Sequence, residues 1–146
     1  SVSVFVDAPK DEILKLFNEG TIEIAQLHGS ESEDYIIDLK ESTNNELKII
    51  NAIEMSEDTD LLGYDSSNAD YLLLDSGKGS GKTFDWRLIR KDLKKDFFLA
   101  GGLNSENITG AIEQFNPYAV DLSSSLEVDG FKNEDKIKEI MEIINE

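Results

Sequence analysis

Apolar residues recur along the chain with a period that switches repeatedly between that of a strand and that of a helix. Val2 to Val6 is a short β-branched run. Asp7-Ala8-Pro9 then opens a helix to about Asn18, with Ile13, Leu14, Leu16 and Phe17 turned inward. Ile22 to Leu27 reads as a second strand. Ser30 or Glu31 starts a helix carrying Tyr35, Ile36, Ile37 and Leu39. Leu47 to Ile53 is a third strand, and Ser56 to about Tyr64 a weak, acidic helix. A fourth strand, Asp70 to Leu74, leads into a Gly-rich loop, Asp75 to Phe84, and a short helix over Asp85 to Lys91. Asp96 to Ala100 is a fifth strand, followed by a helix capped by Asn104 and ending near Phe115. Tyr118 to Leu122 is a sixth strand. A short segment with Leu126 and Glu127 precedes a last helix, Asn133 to Ile144, with Ile137, Ile140, Met141 and Ile144 on one face.

The pattern predicts six strand–helix units in strict alternation within one domain, residues 1–146. The strands are apolar throughout, as expected when both faces of a parallel sheet are covered. Alternation of this kind admits a doubly wound open sheet or a (β/α)8 barrel, and period alone does not choose between them. The first apolar run begins at the chain's first residues without a Met, the pattern of a fragment or an engineered polypeptide.

Composition narrows the class of function. Of the 146 residues, 31 are acidic and 14 basic, for a formal net charge of -17. Such a field repels phosphodiester backbones, so nucleic acid is an unsuitable partner. A phosphate site in this chain has to rely on backbone N–H groups and helix N-termini. There is no cysteine and a single histidine, which removes disulfides and makes a zinc site improbable. No signal-like segment or bilayer-length apolar run is present, so a cytoplasmic location without membrane contact is the default expectation.

The candidate chemistry sits at strand ends. Asp75 follows the apolar stretch Tyr71-Leu72-Leu73-Leu74. As a bland reading it caps or turns the chain; at the carboxyl end of a barrel strand it suits a general acid. The following loop, Ser76-Gly77-Lys78-Gly79-Ser80-Gly81-Lys82-Thr83, echoes a phosphate-binding P-loop but places Ser76 where the first Gly is required. It reads better as an active-site loop. Ala100-Gly101-Gly102-Leu103 and Asp121-Leu122-Ser123-Ser124-Ser125 each connect a strand to a helical segment. Together they match the phosphate site that barrels build after their last two strands. His28, in Gln26-Leu27-His28-Gly29, is a structural residue or a simple hydrogen-bond partner, and Trp86 reads as core.

Four stretches occur in a telling order: Gln26-Leu27-His28-Gly29, then Leu74-Asp75 through Gly79-Ser80-Gly81-Lys82-Thr83-Phe84-Asp85-Trp86, then Ala100-Gly101-Gly102-Leu103-Asn104, then Val120-Asp121-Leu122-Ser123-Ser124. In this order they resemble the phosphoribosylanthranilate isomerase family of tryptophan biosynthesis, over essentially the whole chain. The resemblance implies an incomplete (β/α)8 barrel with parallel strands, in which Val2 to Val6 corresponds to the third barrel strand. It implies an Amadori rearrangement of N-(5-phosphoribosyl)anthranilate without metal or organic cofactor. Asp75 matches the family's general acid. His28 and Asp121 match positions lining the substrate pocket. Gly102 and Ser124 match positions whose backbone amides hold the phosphate, with Gly101 and Ser125 beside them; Ser125 stands where the family usually carries Gly. The family's general base, a Cys on the first barrel strand, has no counterpart in these 146 residues. The expectation is therefore an isomerase whose isolated chain is inactive. The alternative is a non-catalytic, phosphate-binding barrel fragment that self-associates. Either way a homo-oligomer through exposed edge strands is expected.

Overall fold

The computed structural model describes residues 1–76, 85–121, 127–128 and 131–132. Lys78, Lys82, Ser124, Ser125 and the helix expected over Asn133 to Ile144 lie outside the described residues. The principal sheet has six strands in the order β1-β2-β3-β4-β5-β6, so each strand neighbours the next in sequence. They are β1 (Val2–Phe5), β2 (Ile24–Leu27), β3 (Lys48–Glu54), β4 (Tyr71–Asp75), β5 (Phe97–Leu99) and β6 (Ala119–Val120). The pairs β1–β2, β2–β3 and β5–β6 run parallel. The connections carry α1 (Lys10–Asn18), α2 (Glu33–Ser42), α3 (Leu61–Asp65), a 3-10 helix (Trp86–Leu88) and α4 (Ile108–Phe115). This is the α/β alternation that the hydrophobic period predicts. Among the described residues no helix is long and apolar enough to cross a membrane.

The chain divides into two compact units. The first comprises Ser1–Ile53, Asp60–Leu73 and Leu93–Asp96; the second comprises Glu54–Thr59, Leu74–Asp92 and Phe97–Glu146. In the first unit, Phe5, Ile13, Ile22, Ala25, Leu27, Ile36, Leu39, Leu47, Ile49 and Ala69 form a buried cluster. Ile13 is the fully buried residue of α1, while Leu14, Leu16, Phe17 and Tyr35 pack against the cluster while partly exposed. Lys40 is buried beside it. Its Nζ donates to Leu47 O and to Asp70 Oδ2, both at 2.8 Å, and the same carboxylate oxygen accepts Ile49 N at 2.9 Å. A buried ammonium is tolerated here because a carboxylate and a carbonyl take its protons. The second unit buries Met55, Leu74, Ile89, Phe97, Leu99, Ala100, Leu103, Ile108 and Ala111. Trp86, expected in the core, is only partly buried; its ring meets Phe115 edge-on at 5.9 Å.

Several boundaries depart from the sequence expectation, each for a local reason. The second helix begins after Ser32, whose hydroxyl accepts Tyr35 N at 3.2 Å, because Ser30 and Glu31 are engaged with the preceding loop. The third helix shrinks to Leu61–Asp65. Asp60 caps it by accepting Gly63 N, whereas Ser56 and Thr59 bond each other in a separate turn. Asp85 accepts Arg87 N and also binds its guanidinium, closing a single 3-10 turn where a longer helix was expected. Asn104 caps a turn ahead of α4, accepting Glu106 N and Asn107 N, and the helix proper starts at Ile108. The covered-sheet expectation fails on β1 and its extension, where Val2, Val4 and Val6 are 52%, 59% and 65% exposed. A small antiparallel pair, β7 (Glu127–Val128) with β8 (Phe131–Lys132), interrupts the strict alternation. Its strands flank Asp129-Gly130, a two-residue hairpin signal in the sequence.

Candidate active site at the strand ends

The candidate residues each follow the carboxyl end of a strand. Asp75 is the last residue of β4, behind the buried Leu72, Leu73 and Leu74. Its carbonyl accepts Met55 N at 2.7 Å, and the carbonyl of Leu74 accepts Ala100 N at 2.9 Å. Those bonds hold the ends of neighbouring segments level. The Gly101 backbone lies directly against this strand end. A β-carbon on Gly101 would stand 2.8 Å from Asp75 Oδ1, 2.8 Å from Ser76 N and 2.4 Å from Ser76 Oγ. Gly101 also has φ 89, and Gly102 has φ 69. Both are left-handed values that a side chain disfavours, so the pair of glycines is required by geometry. The site places a carboxylate and a bare backbone turn within contact of each other.

The Gly101–Gly102 turn is braced from the far side. Asn107 Nδ2 donates to Gly102 O at 3.0 Å, and Asn107 Oδ1 accepts Asn104 N at 2.8 Å. Asp121 directly follows β6 and donates its N–H to Leu99 O at 2.8 Å. Asp75, Gly101, Gly102 and Asp121 thus share the second compact unit, at the ends of β4, β5 and β6. Ser124 and Ser125, the other expected phosphate residues, lie outside the described residues.

His28 belongs to the first unit. It follows the end of β2, its N–H donates to Phe5 O at 2.9 Å, and its ring Nε2 meets the Gln26 side-chain amide. The residues that sequence reasoning missed lie beside it. Glu31 accepts Gly29 N and Asp7 N, both at 2.8 Å, and Asp7 Oδ1 accepts Ser30 N at 2.6 Å. The sequence signal for this arrangement was Gly29 alone. Tyr35 donates its hydroxyl proton to Ala8 O at 2.7 Å. Burial first, and then the charges of Glu31, Glu12 and Asp7, push the Tyr35 phenol above its ordinary value. Among the described residues, no group of three or more His, Cys, Asp or Glu side chains is disposed to hold a metal ion.

Comparison with known proteins identifies the family. The model of the N-(5'-phosphoribosyl)anthranilate isomerase family matches residues 1–143. An N-(5'-phosphoribosyl)anthranilate isomerase of Endomicrobium trichonymphae is 42% identical over 149 residues, which cover 99% of this chain and 72% of that protein. The solved phosphoribosyl anthranilate isomerase of Thermus thermophilus superposes with a TM-score of 0.83 at 28% identity, over 99% of this chain and 71% of that one. Another phosphoribosyl anthranilate isomerase was solved in complex with reduced 1-(o-carboxyphenylamino)-1-deoxyribulose 5-phosphate. It superposes with a TM-score of 0.76 at 33% identity, over 97% of this chain and 69% of that one. The chain belongs to the N-(5'-phosphoribosyl)anthranilate isomerase family, a family of enzymes of tryptophan biosynthesis.

Proposed function

We propose that Asp75 is the general acid of an Amadori rearrangement of N-(5-phosphoribosyl)anthranilate, on a sheet of (β/α)8-barrel type. The observation that carries this reading is the contact between the Asp75 carboxylate and the Gly101 turn. An acid and an anion-binding turn in contact suit a substrate whose ring oxygen and phosphate belong to one small sugar. In the proposed step Asp75 gives its proton to the ribose ring oxygen. The bond from that oxygen to C1 breaks, and the anthranilate nitrogen lone pair forms the C1=N bond. A base then removes the C2 proton, and the electrons move into an enol-amine that becomes the ketone. The 146 residues contain no cysteine, so the base that removes the C2 proton is assigned to no residue among them. His28 and Asp121 are each assigned to substrate binding in this reading. A cytoplasmic setting accords with the biosynthetic family.

The phosphate is assigned to the backbone amides of Gly102, Leu103, Ser124 and Ser125, with Gly101 giving room. Support comes from the paired left-handed glycines and from the brace that Asn107 places behind them. A backbone site also suits a chain of net charge -17, whose long-range field repels a phosphate. Titration with inorganic phosphate, followed by amide NMR, is expected to shift the resonances of these four residues first. Shifts centred on Lys78 and Lys82 overturn the assignment. Phosphate binding in a protein that does not turn the substrate over would instead select the non-catalytic binding module.

Self-association through β1 is a second reading, favoured by one observation. Val2 and Val4 of the end strand β1, and Val6 just after it, are each more than half exposed. An exposed apolar end strand is a pairing surface. The net negative charge opposes association but is screened at physiological salt. Sedimentation equilibrium is expected to show a dimer or larger species that Val4→Lys dissociates. A monomer at high micromolar concentration ends this reading.

A further inference from the structure

The loops after β1 and β2 are stapled to each other by two carboxylates that bond only backbone amides in the contacts above. Glu31 is bidentate: Oε1 accepts Gly29 N and Oε2 accepts Asp7 N, each at 2.8 Å. Asp7 returns the bond, its Oδ1 accepting Ser30 N at 2.6 Å. The fit is close enough to constrain both loops. Asp7 itself sits at φ 50, in the left-handed region that few non-glycine residues other than Asn and Asp visit. A β-carbon on Gly29 would stand 2.5 Å from Asp7 Oδ1 and 2.7 Å from Asp7 N. Two like charges are thus brought together in a strongly acidic chain, and charge-assisted bonds to amides are what hold them.

The staple is not needed to start α2. Ser32 already caps that helix through Tyr35 N, and Ile36 N reaches Ser32 O. What the staple does fix is the turn immediately after His28. His28 N is bonded to Phe5 O on one side, and Gly29 N is bonded to Glu31 on the other. The Gln26 side chain meets the ring from two residues back on the same face of the strand. An exposed imidazole at a strand end ordinarily samples several rotamers. Here its backbone is held at both peptide links and its ring is touched by a neighbour.

We propose that Glu31, acting with Asp7, is a positioning residue that fixes the His28 imidazole for the substrate. The inference rests on the reading of His28 as a pocket residue. Glu31→Gln turns an amide NH2 toward one of the two backbone donors and so breaks half of the staple. The test is a double-mutant cycle of Glu31→Gln with His28→Ala, in a polypeptide that turns the substrate over. Glu31→Gln is expected to lower kcat/KM about tenfold with His28 present, mainly through KM, the factor lost with one charge-assisted bond. In the His28→Ala background it is expected to change kcat/KM less than about twofold. His28 is the single histidine of these 146 residues, so in this chain its ring resonances are identified without assignment, and Glu31→Gln is expected to move them. Asp7→Asn keeps an acceptor for Ser30 N and suits the left-handed backbone but loses the charge, so it is expected to lose less than Asp7→Ala, which is expected to match Glu31→Gln. Equal losses in both His28 backgrounds, or an unmoved ring resonance, overturn the proposal while leaving His28 in the pocket. An unchanged kcat/KM in His28→Ala alone removes His28 from the pocket, and the positioning role falls with it.

Discussion

Asp75→Asn is expected to lower kcat by about 10²–10⁴-fold, the range lost with one general acid, while leaving the fold intact. The substitution exchanges an acidic O–H for an amide of nearly the same size. The Asp75 backbone keeps its bond from Met55 N, and the buried Leu72, Leu73 and Leu74 still hold β4 in place. Side-chain volume near Gly101 is unchanged, so the turn is not displaced. What disappears is the proton for the ring oxygen. Without it the leaving oxygen departs as an alkoxide, and the barrier to ring opening rises. Substrate binding is expected to change little, because the phosphate is assigned to backbone amides and not to Asp75. The measurement is steady-state kcat and KM in a polypeptide that turns substrate over, beside a urea unfolding curve. An unchanged kcat removes Asp75 from the mechanism. A rise in KM with kcat preserved makes it a binding residue instead.

The strands were the most legible part of the fold, because their apolar runs are interrupted by turn-forming residues at every end. Leu47 to Ile53 and Asp70 to Leu74 match β3 and β4 to within one residue at each end. Helix starts were less legible. Ser30, Ser32 and Asp34 are all competent caps on local chemistry. The choice of Ser32 follows from Asp7, more than twenty residues earlier, which takes Ser30 N for itself. No periodicity carries that information. The valines of β1 misled for a related reason: a β-branched run looks the same whether one face or both are covered. Among the candidate site residues, position was legible and role was not. Gly101-Gly102 announced a tight strand–helix turn, and Asp75 announced a strand end. That the two lie against each other is a tertiary fact, and the acid role proposed for Asp75 rests on the order of motifs.

Gly101→Ala is expected to be among the most damaging single-methyl additions available in this chain. At φ 89 a β-carbon carries backbone strain of roughly 1–3 kcal/mol. The methyl would also fall 2.8 Å from the backbone N of Ser76, which has little room to retreat because Asp75 beside it is fixed by Met55. Overpacking of this kind adds roughly 1–3 kcal/mol. The expected loss of stability is therefore about 3 kcal/mol, with the β4–β5 strand ends pushed apart. Displacement of the turn also moves the amides assigned to phosphate away from Asp75. A shift near 1 Å between binding and reacting groups costs about 10²-fold in rate, so kcat/KM is expected to fall by that factor in whatever fraction remains folded. Gly110→Ala is the matched control. Gly110 lies inside α4, has nothing within 4 Å of its added β-carbon and has no left-handed φ. Alanine there is expected to stabilise by roughly 0.5–1 kcal/mol through helix propensity alone. Urea denaturation of the two variants, with kcat/KM measured on the folded material, decides the matter. Comparable stability and activity in both would mean that Gly101 is an ordinary turn glycine and that the amides beside it do not hold the phosphate against Asp75.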